Sequence, residues 1–323
     1  MKRALITGGC GFIGSHLAEA LLARGCRVEV IDDLSTGSIR NIEHLKSNRN
    51  FSYVIDTVRN ARLMAELVDK ADVVFHLAAA VGVKLVVDNP VRTIETNIRG
   101  AEVVLECAAR KGRQVLVASS SEVYGKSTKA PFCEGDDMIF GPTTANRWCY
   151  ACSKAIDEFL ALAYFHEKQL PVTVLRFFNT VGPRQVGDYG MVIPRFVRQA
   201  LTGEAITVYS DGAMTRSFCH VRDTVRAVIA LSQSPAAIGQ VVNVGNDREV
   251  SILELAETVI ARTGSSSPIR RIPFEEVYGK GFEDLGRRVP DLTRLRSLIE
   301  FHDLAPLEQI IDDVIEYERA ATK

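Results

Sequence analysis

The chain has 323 residues with 39 basic and 40 acidic side chains, a balance that argues against a nucleic-acid binder or a polybasic membrane module. This length, with 46% hydrophobic residues, is enough to bury a large core, as one big α/β domain or two domains sharing an interface. No apolar run reaches membrane-spanning length, and seven scattered cysteines point to reduced thiols in the cytoplasm rather than a disulfide framework.

Met1-Lys2-Arg3 leads straight into an apolar run, Arg3–Thr7, with no h-region, so no signal peptide is expected. The run enters a glycine-rich turn, Gly8-Gly9-Cys10-Gly11-Phe12-Ile13-Gly14, which opens a helical pattern over Ile13–Arg24. A second apolar run, Arg27–Ile31, ends at Asp32. Strand, glycine turn, helix, strand and acid form the dinucleotide-binding fingerprint in the context it requires. Gly8 allows the tight turn, Gly11 lets backbone approach a pyrophosphate, and Gly14 lets helix pack close to strand. The helix N-terminus offers free N–H groups to phosphates. Asp32 can accept hydrogen bonds from ribose hydroxyls and repels a 2′-phosphate, and no Arg follows it directly, so NAD is expected rather than NADP.

Further strands read at Phe51–Ile55, Val73–Leu77, Gln114–Ala118 and Val172–Arg176, with helical patterns at Arg62–Val68, Val91–Arg110 and Tyr150–Glu167 between them. Continuous apolar strands with helical crossovers imply a doubly wound parallel sheet covered on both faces. After Phe177 the order loosens. Helices are expected at Ile193–Thr202, Val221–Gln233 and Ile252–Arg262, and strands at Ile206–Tyr209 and Gln240–Val244. A loop over Phe274–Pro290 and short helices close the chain. This second half reads as a smaller lobe that closes over a ligand at the carboxyl ends of the sheet.

Two segments carry chemistry. Tyr150 and Lys154 stand at i and i+4 on one helix face. An ammonium beside a phenol favours the phenolate and lowers its pKa, so Tyr150 is a candidate general base. Upstream, Ser119-Ser120-Ser121-Glu122-Val123-Tyr124 ends a strand at the sheet edge where ligands sit in this architecture. A hydroxyl there can share a hydrogen bond with a substrate hydroxyl being oxidised. Cys149 and Cys152 form a CxxC, but with no second pair and a more convincing tyrosine between them the redox reading is discounted. Six histidines show no ligand spacing, and no metal site is expected.

The glycine turn, the Ser-Glu strand end and the Tyr150/Lys154 pair resemble the extended short-chain dehydrogenase/reductase family, and more narrowly its NAD-dependent nucleotide-sugar epimerases, dehydratases and decarboxylases. The resemblance runs from Lys2 to the last helix and implies an extended Rossmann fold. By the family pattern Ser120, Tyr150 and Lys154 are the catalytic set, His76-Leu77-Ala78-Ala79 lines the cofactor, and Asp56 contacts adenine. The implied chemistry starts with Tyr150 taking the proton from a sugar 4-hydroxyl while the C4 hydride moves to NAD, giving a 4-keto sugar. Members with glutamate at the Glu122 position tend to act at C5 or C6; the alternative is a solvated strand end.

Arg147-Trp148-Cys149-Tyr150 and Tyr278–Asp284, followed by Arg287-Arg288-Val289-Pro290, resemble UDP-glucuronate decarboxylases and apiose/xylose synthases. There an arginine matching Arg288 lies near the reacting carboxylate. Arg147 and Tyr278 are then substrate-site candidates with Arg288. In the family Asn179 contacts the diphosphate, Arg216 is a phosphate ligand, and Val208 and Tyr209 resemble the segment packing on the nucleobase, although an ordinary core strand fits Val208 equally. Arg184 suits either carboxylate or phosphate, since a planar guanidinium pairs with both.

The resemblance therefore implies NAD and a UDP-sugar substrate, with decarboxylation of UDP-glucuronate to UDP-xylose leading. A UDP-glucose or UDP-glucuronate 4-epimerase, an NDP-sugar 4,6-dehydratase and a non-catalytic NAD-sensing scaffold are the alternatives. It implies cofactor binding by residues 1–176 with a returning segment near 218–247, and nucleotide-sugar binding by 177–217 and 248–323. It also implies a homodimer built on a four-helix bundle from the helices near Val91 and Tyr150.

Overall fold

A computed structural model describes residues 1–82, 89–186, 191–273, 276 and 286–321. Strands β1 (Arg3–Thr7), β2 (Arg27–Asp32), β3 (Phe51–Ile55), β4 (Val73–His76), β5 (Gln114–Ser120) and β6 (Val172–Phe177) pair with the strand Val241–Val244 in one seven-stranded sheet. The order is Val241–Val244, β6, β5, β4, β1, β2, β3, and every neighbouring pair is parallel. Helices α1 (Phe12–Ala23), α2 (Ala61–Lys70), α3 (Pro90–Lys111) and α4 (Cys149–Lys168) supply crossovers.

Alternation along the strands decides which helices cover which face. Ala4, Ile6, Val28, Val30 and Phe75 meet α1 and the helix Val221–Gln233 on one side. Leu5, Ile31, Val74, Val115 and Val117 meet α2, α3 and α4 on the other. Since all strands run one way, the ends of β1, β2, β4 and β5 bring Thr7, Asp32, His76 and Ser120 to a single edge. Loops cluster there, and the site forms there.

A third core joins Val181, Phe196, Val208, Phe218, Leu255, Val259 and Ile311. It lies under the helices Val192–Thr202, Ile252–Thr263 and Leu307–Ala321. The last of these is one helix of 15 residues, longer than the short closing helices expected. Small sheets absent from the sequence reading brace this part. The strand Thr215–Ser217 pairs antiparallel with Glu249–Ser251 and parallel with Arg287–Arg288. That second pairing sets Arg288 beside Arg216 in register. Strands of two or three residues carry no periodicity, so only their partners define them. Among the described residues no helix is long and apolar enough to cross a membrane.

Candidate active site

A cavity of about 740 Å3 runs along the carboxyl edge of the sheet, from the glycine turn to the C-terminal helix. Gly8, Gly11, Phe12, Ile13, Gly14, Asp32, Asp56, Leu77, Ala78 and Ala79 line one end. Ser120, Glu122, Arg147, Tyr150 and Lys154 line its middle with Arg288, and Asn179, Arg184, Tyr209 and Arg216 extend it. Val208 does not line it. Period-two alternation turns its fully buried side chain into the core while Tyr209 faces the cavity. Tyr278 and the rest of the 277–285 segment lie outside the described residues.

The glycine turn is shaped by contact as well as conformation. Gly8 has φ +71°, and a Cβ there would lie 2.8 Å from the Ala78 backbone nitrogen. A Cβ on Gly14 would lie 2.3 Å from the Gly8 carbonyl oxygen, so any side chain would push α1 off the turn. Asp32 is fixed by two backbone donors, Cys10 N–H at 2.9 Å and Leu34 N–H at 2.8 Å. Each carboxylate oxygen keeps a lone pair for a cavity ligand. Asp56 is held similarly by Thr57 N–H and the Asn60 amide. A glycine cradle bare of side chains, a helix N-terminus and an oriented acid fit a dinucleotide.

Tyr150 is buried at the start of α4. Its phenol sits above the ordinary tyrosine range. Burial is the chief cause; Lys154 and a hydrogen bond with Ser120 pull down, and Glu122 and Asp157 push up. The expected effect of Lys154 is present, but burial outweighs it. Lys154 Nζ donates to Asp157 Oδ2 at 2.9 Å. Burial works against the ammonium, yet Asp157 and Tyr150 together hold it above the ordinary lysine range. Asp157 was not singled out from the sequence, because an acid three residues on along a helix normally faces solvent.

Glu122 occupies the centre of an ion cluster. Arg147 Nη1 lies 2.6 Å from Oε2, and Arg288 Nη1 donates to Oε1 at 2.6 Å. Burial would raise this carboxyl, but Arg288 and then Arg147 outweigh it and hold it at about 2. The solvated reading of Glu122 is thereby excluded. Among the described residues two guanidiniums thus face one carboxylate in the cavity wall. Arg216 instead donates to the carbonyls of Thr215 and Gly286. Arg184 bonds the Ser15 hydroxyl at 3.2 Å and Glu19 at 2.5 Å, both on α1. Asn179 donates to the Ser217 carbonyl. Tyr209 carries a guanidinium the sequence reading missed: Arg195 stacks 4.2 Å from its ring and bonds its hydroxyl. Cys149 and Cys152 are free thiols that burial holds above the ordinary cysteine range, which gives no support to redox chemistry.

Residues 4–245 match the model of the NAD dependent epimerase/dehydratase family. A UDP-N-acetyl-alpha-D-glucosaminuronate decarboxylase of Bacillus cytotoxicus is 44% identical over 98% of both chains. UDP-glucuronic acid decarboxylase 1 of Danio rerio is 36% identical over 98% of this chain and 72% of its own. Among solved structures, a Bacillus cereus UDP-glucuronic acid 4-epimerase in complex with UDP-glucuronic acid and NAD superposes with TM-score 0.89, at 26% identity over 99% of each chain. A Thermotoga maritima UDP-glucose 4-epimerase with UDP-glucose gives TM-score 0.88 at 29% identity, over 99% of this chain and 100% of that one. With a glycine cradle, a buried Tyr150/Lys154 pair and a match that spans most of its length, the chain belongs to the NAD dependent epimerase/dehydratase family.

Proposed function

We propose that the protein is a NAD-dependent decarboxylase of a UDP-hexuronate that converts UDP-glucuronate to UDP-xylose through a 4-keto intermediate. The observation that carries this reading is the Arg147–Glu122–Arg288 cluster, which sets two guanidiniums in the cavity wall that also holds Ser120 and Tyr150. A planar guanidinium there suits the carboxylate of a uronate, for which a neutral hexose offers no counterpart.

NAD, held by the glycine turn and Asp32, would supply the acceptor for the C4 hydride and the means to return it. Tyr150 takes the proton of the 4-hydroxyl, with Ser120 sharing the hydrogen bond and the Lys154 ammonium stabilising the phenolate. The 4-keto uronate is a β-keto acid. Arg288 orients its carboxylate so that the C5–C6 bond lies in line with the carbonyl π system. When that bond breaks, carbon dioxide leaves and the electron pair passes into a C4–C5 enolate. Tyr150 and Ser120 hold the enolate oxygen. C5 then takes up a proton that comes from solvent, along a path the Glu122 carboxylate orients.

The remaining lining residues take roles within this reading. Gly8, Gly11, Phe12, Ile13 and Gly14 cradle the cofactor diphosphate, Asp32 its ribose, and Asp56, Leu77, Ala78 and Ala79 flank it. Residues 1–176 and a returning segment near 218–247 form this half. Residues 177–217 and 248–323 hold the nucleotide sugar, with Asn179, Arg184 and Arg216 on the diphosphate and Tyr209 on the base. Arg184 goes to phosphate because its partners are on α1 rather than near Glu122. Val91 and Phe159, each 69% exposed, with Ile94 and Ile156 leave α3 and α4 an apolar outer face. This supports a four-helix homodimer, which Phe159→Glu converts to monomer by mass in solution; an unchanged mass removes the interface. Free thiols throughout support the cytoplasm.

A 2-acetamido uronate is the second substrate reading, favoured by the name of the relative at 44% identity. The test is incubation with NAD and a panel of UDP-glucuronate, UDP-N-acetylglucosaminuronate, UDP-glucose and a GDP-sugar, with products read by mass and NMR. Loss of carbon dioxide is expected from one or both uronates. Unchanged mass with inverted C4 establishes an epimerase, loss of water a dehydratase, and inertness towards every sugar the scaffold.

A further inference from the structure

The proposed chemistry uses Tyr150 and Lys154 but gives no task to the acid behind them. Lys154 lines the cavity and Asp157 does not. Asp157 lies nearly one turn along α4, with its side chain fully enclosed, and Lys154 is 2% exposed. Their 2.9 Å contact is an ion pair in the dry interior. Desolvation makes such a pair a poor device for stability alone. The other acids around the phenol and ammonium already have partners of their own. Just past β5, Glu122 is taken up by Arg147 and Arg288. On α4, Glu158 is bonded to Arg176 at 2.7 Å and to the Ser119 hydroxyl. From β4, His76 is kept neutral by burial. Glu102, on α3, acts on Asp157. Among the described residues Asp157 is the acid that bonds Lys154.

We propose that Asp157 is a positioning residue that holds Lys154 as an ammonium in the dry site and, by offsetting part of its charge at Tyr150, fixes the pH window in which the pair can transfer a proton. A negative charge favours the proton on every neighbour, so it raises the pH at which both phenol and ammonium lose their protons. The two titrate as a unit, and the effect is read on the pair. This rests on the reading of Tyr150 as the base.

The experiment is the pH profile of kcat and of single-turnover NADH formation for wild type, Asp157→Asn and Asp157→Glu, on whichever nucleotide sugar the wild type oxidises. In Asp157→Asn both limbs move to lower pH, by about one to three units, while Asp157→Glu keeps them near the wild-type positions. A profile that only loses height, with its limbs unmoved, overturns the proposal and leaves Asp157 structural. Should the neutral variant fail to fold, 15N NMR of lysine side chains in NAD-loaded wild type decides. The Lys154 nitrogen, assigned with Lys154→Arg, stays an ammonium across the whole working pH range; a neutral amine within that range overturns the proposal. A wild type inert towards every sugar would sink the functional reading, while the NMR titration still judges Asp157.

Discussion

Glu122 and Arg288 are 166 residues apart in the chain, and their side chains meet at 2.6 Å. Glu122 follows the end of β5, while Arg288 sits on a two-residue strand held beside Thr215–Ser217. The contact ties the short sheets of the second half to the edge of the large sheet. It also separates two jobs within the proposed reaction. Oxidation at C4 needs Ser120, Tyr150, Lys154 and the cofactor; losing carbon dioxide also needs the carboxylate held.

Arg288→Ala is expected to keep NAD bound and to form NADH with UDP-glucuronate, yet to release carbon dioxide far more slowly. Removing one member of a desolvated, hydrogen-bonded charge pair costs about 2–5 kcal/mol, enough to make decarboxylation rate-limiting. Glu122→Gln is expected to act in the same direction. Absorbance of NADH and trapped labelled carbon dioxide, followed in one reaction, report the two steps separately. Equal slowing of both signals would mean that Arg288 serves binding in general and not bond cleavage.

Tyr150→Phe is expected to fold and to bind NAD as the wild type does, because only a hydroxyl is lost from a helix that is otherwise unchanged. Turnover should fall by about 10²–10⁴-fold, the usual worth of general acid–base catalysis. Steady-state rates with a saturating substrate, beside a circular-dichroism check of folding, decide this. Activity within a few-fold of wild type would take the base role away from Tyr150.

Local patterns made much of this legible. The turn from Gly8 to Gly14 announces itself because Gly11 and Gly14 are demanded by the Gly8 carbonyl only a few residues away. Tyr150 and Lys154 follow from a fixed helical spacing. What escaped depends on distant partners. That Arg147 pairs with Glu122 is not legible from the segment around it. Arg195 reads as a helix-surface residue until Tyr209 arrives from the next strand. Val208 and Tyr209 are adjacent in sequence, and only the packing of Ile193, Phe196 and Val259 shows which of the two faces inward.

Asp32→Ala is expected to narrow the preference for NAD over NADP, chiefly by weakening NAD. The carboxylate is fixed by Cys10 and Leu34 backbone donors, so it cannot swing away from an added 2′-phosphate. Burial raises its carboxyl above the ordinary range while those two donors pull it down, and it lines the cavity beside the glycine turn, with Asp33 next to it. Calorimetric titration of both cofactors into both proteins gives the four constants required. A wild type that binds NADP more tightly would end the assignment.

His76 sets a prediction for stability against pH. It is 1% exposed at the end of β4, with Nδ1 2.8 Å from the Thr7 hydroxyl. Burial, with a smaller contribution from Lys154, pushes its pKa from 6.5 down to about 3. The folded chain therefore keeps His76 neutral where the unfolded chain protonates it. Stability is fully present above the unfolded value and is lost as pH falls from about 6.5 towards about 3. One such histidine removes about 2 kcal/mol between pH 7 and pH 5. His16 and His220, both lowered chiefly by burial, act in the same direction, so the wild-type loss should exceed that of a single group. In His76→Gln the absolute stability falls through lost packing, but the difference between the two pH values should shrink by roughly the share of one histidine. Urea unfolding of both proteins at both pH values measures that difference, and an identical pH dependence in the variant would show that His76 is not held neutral by the fold.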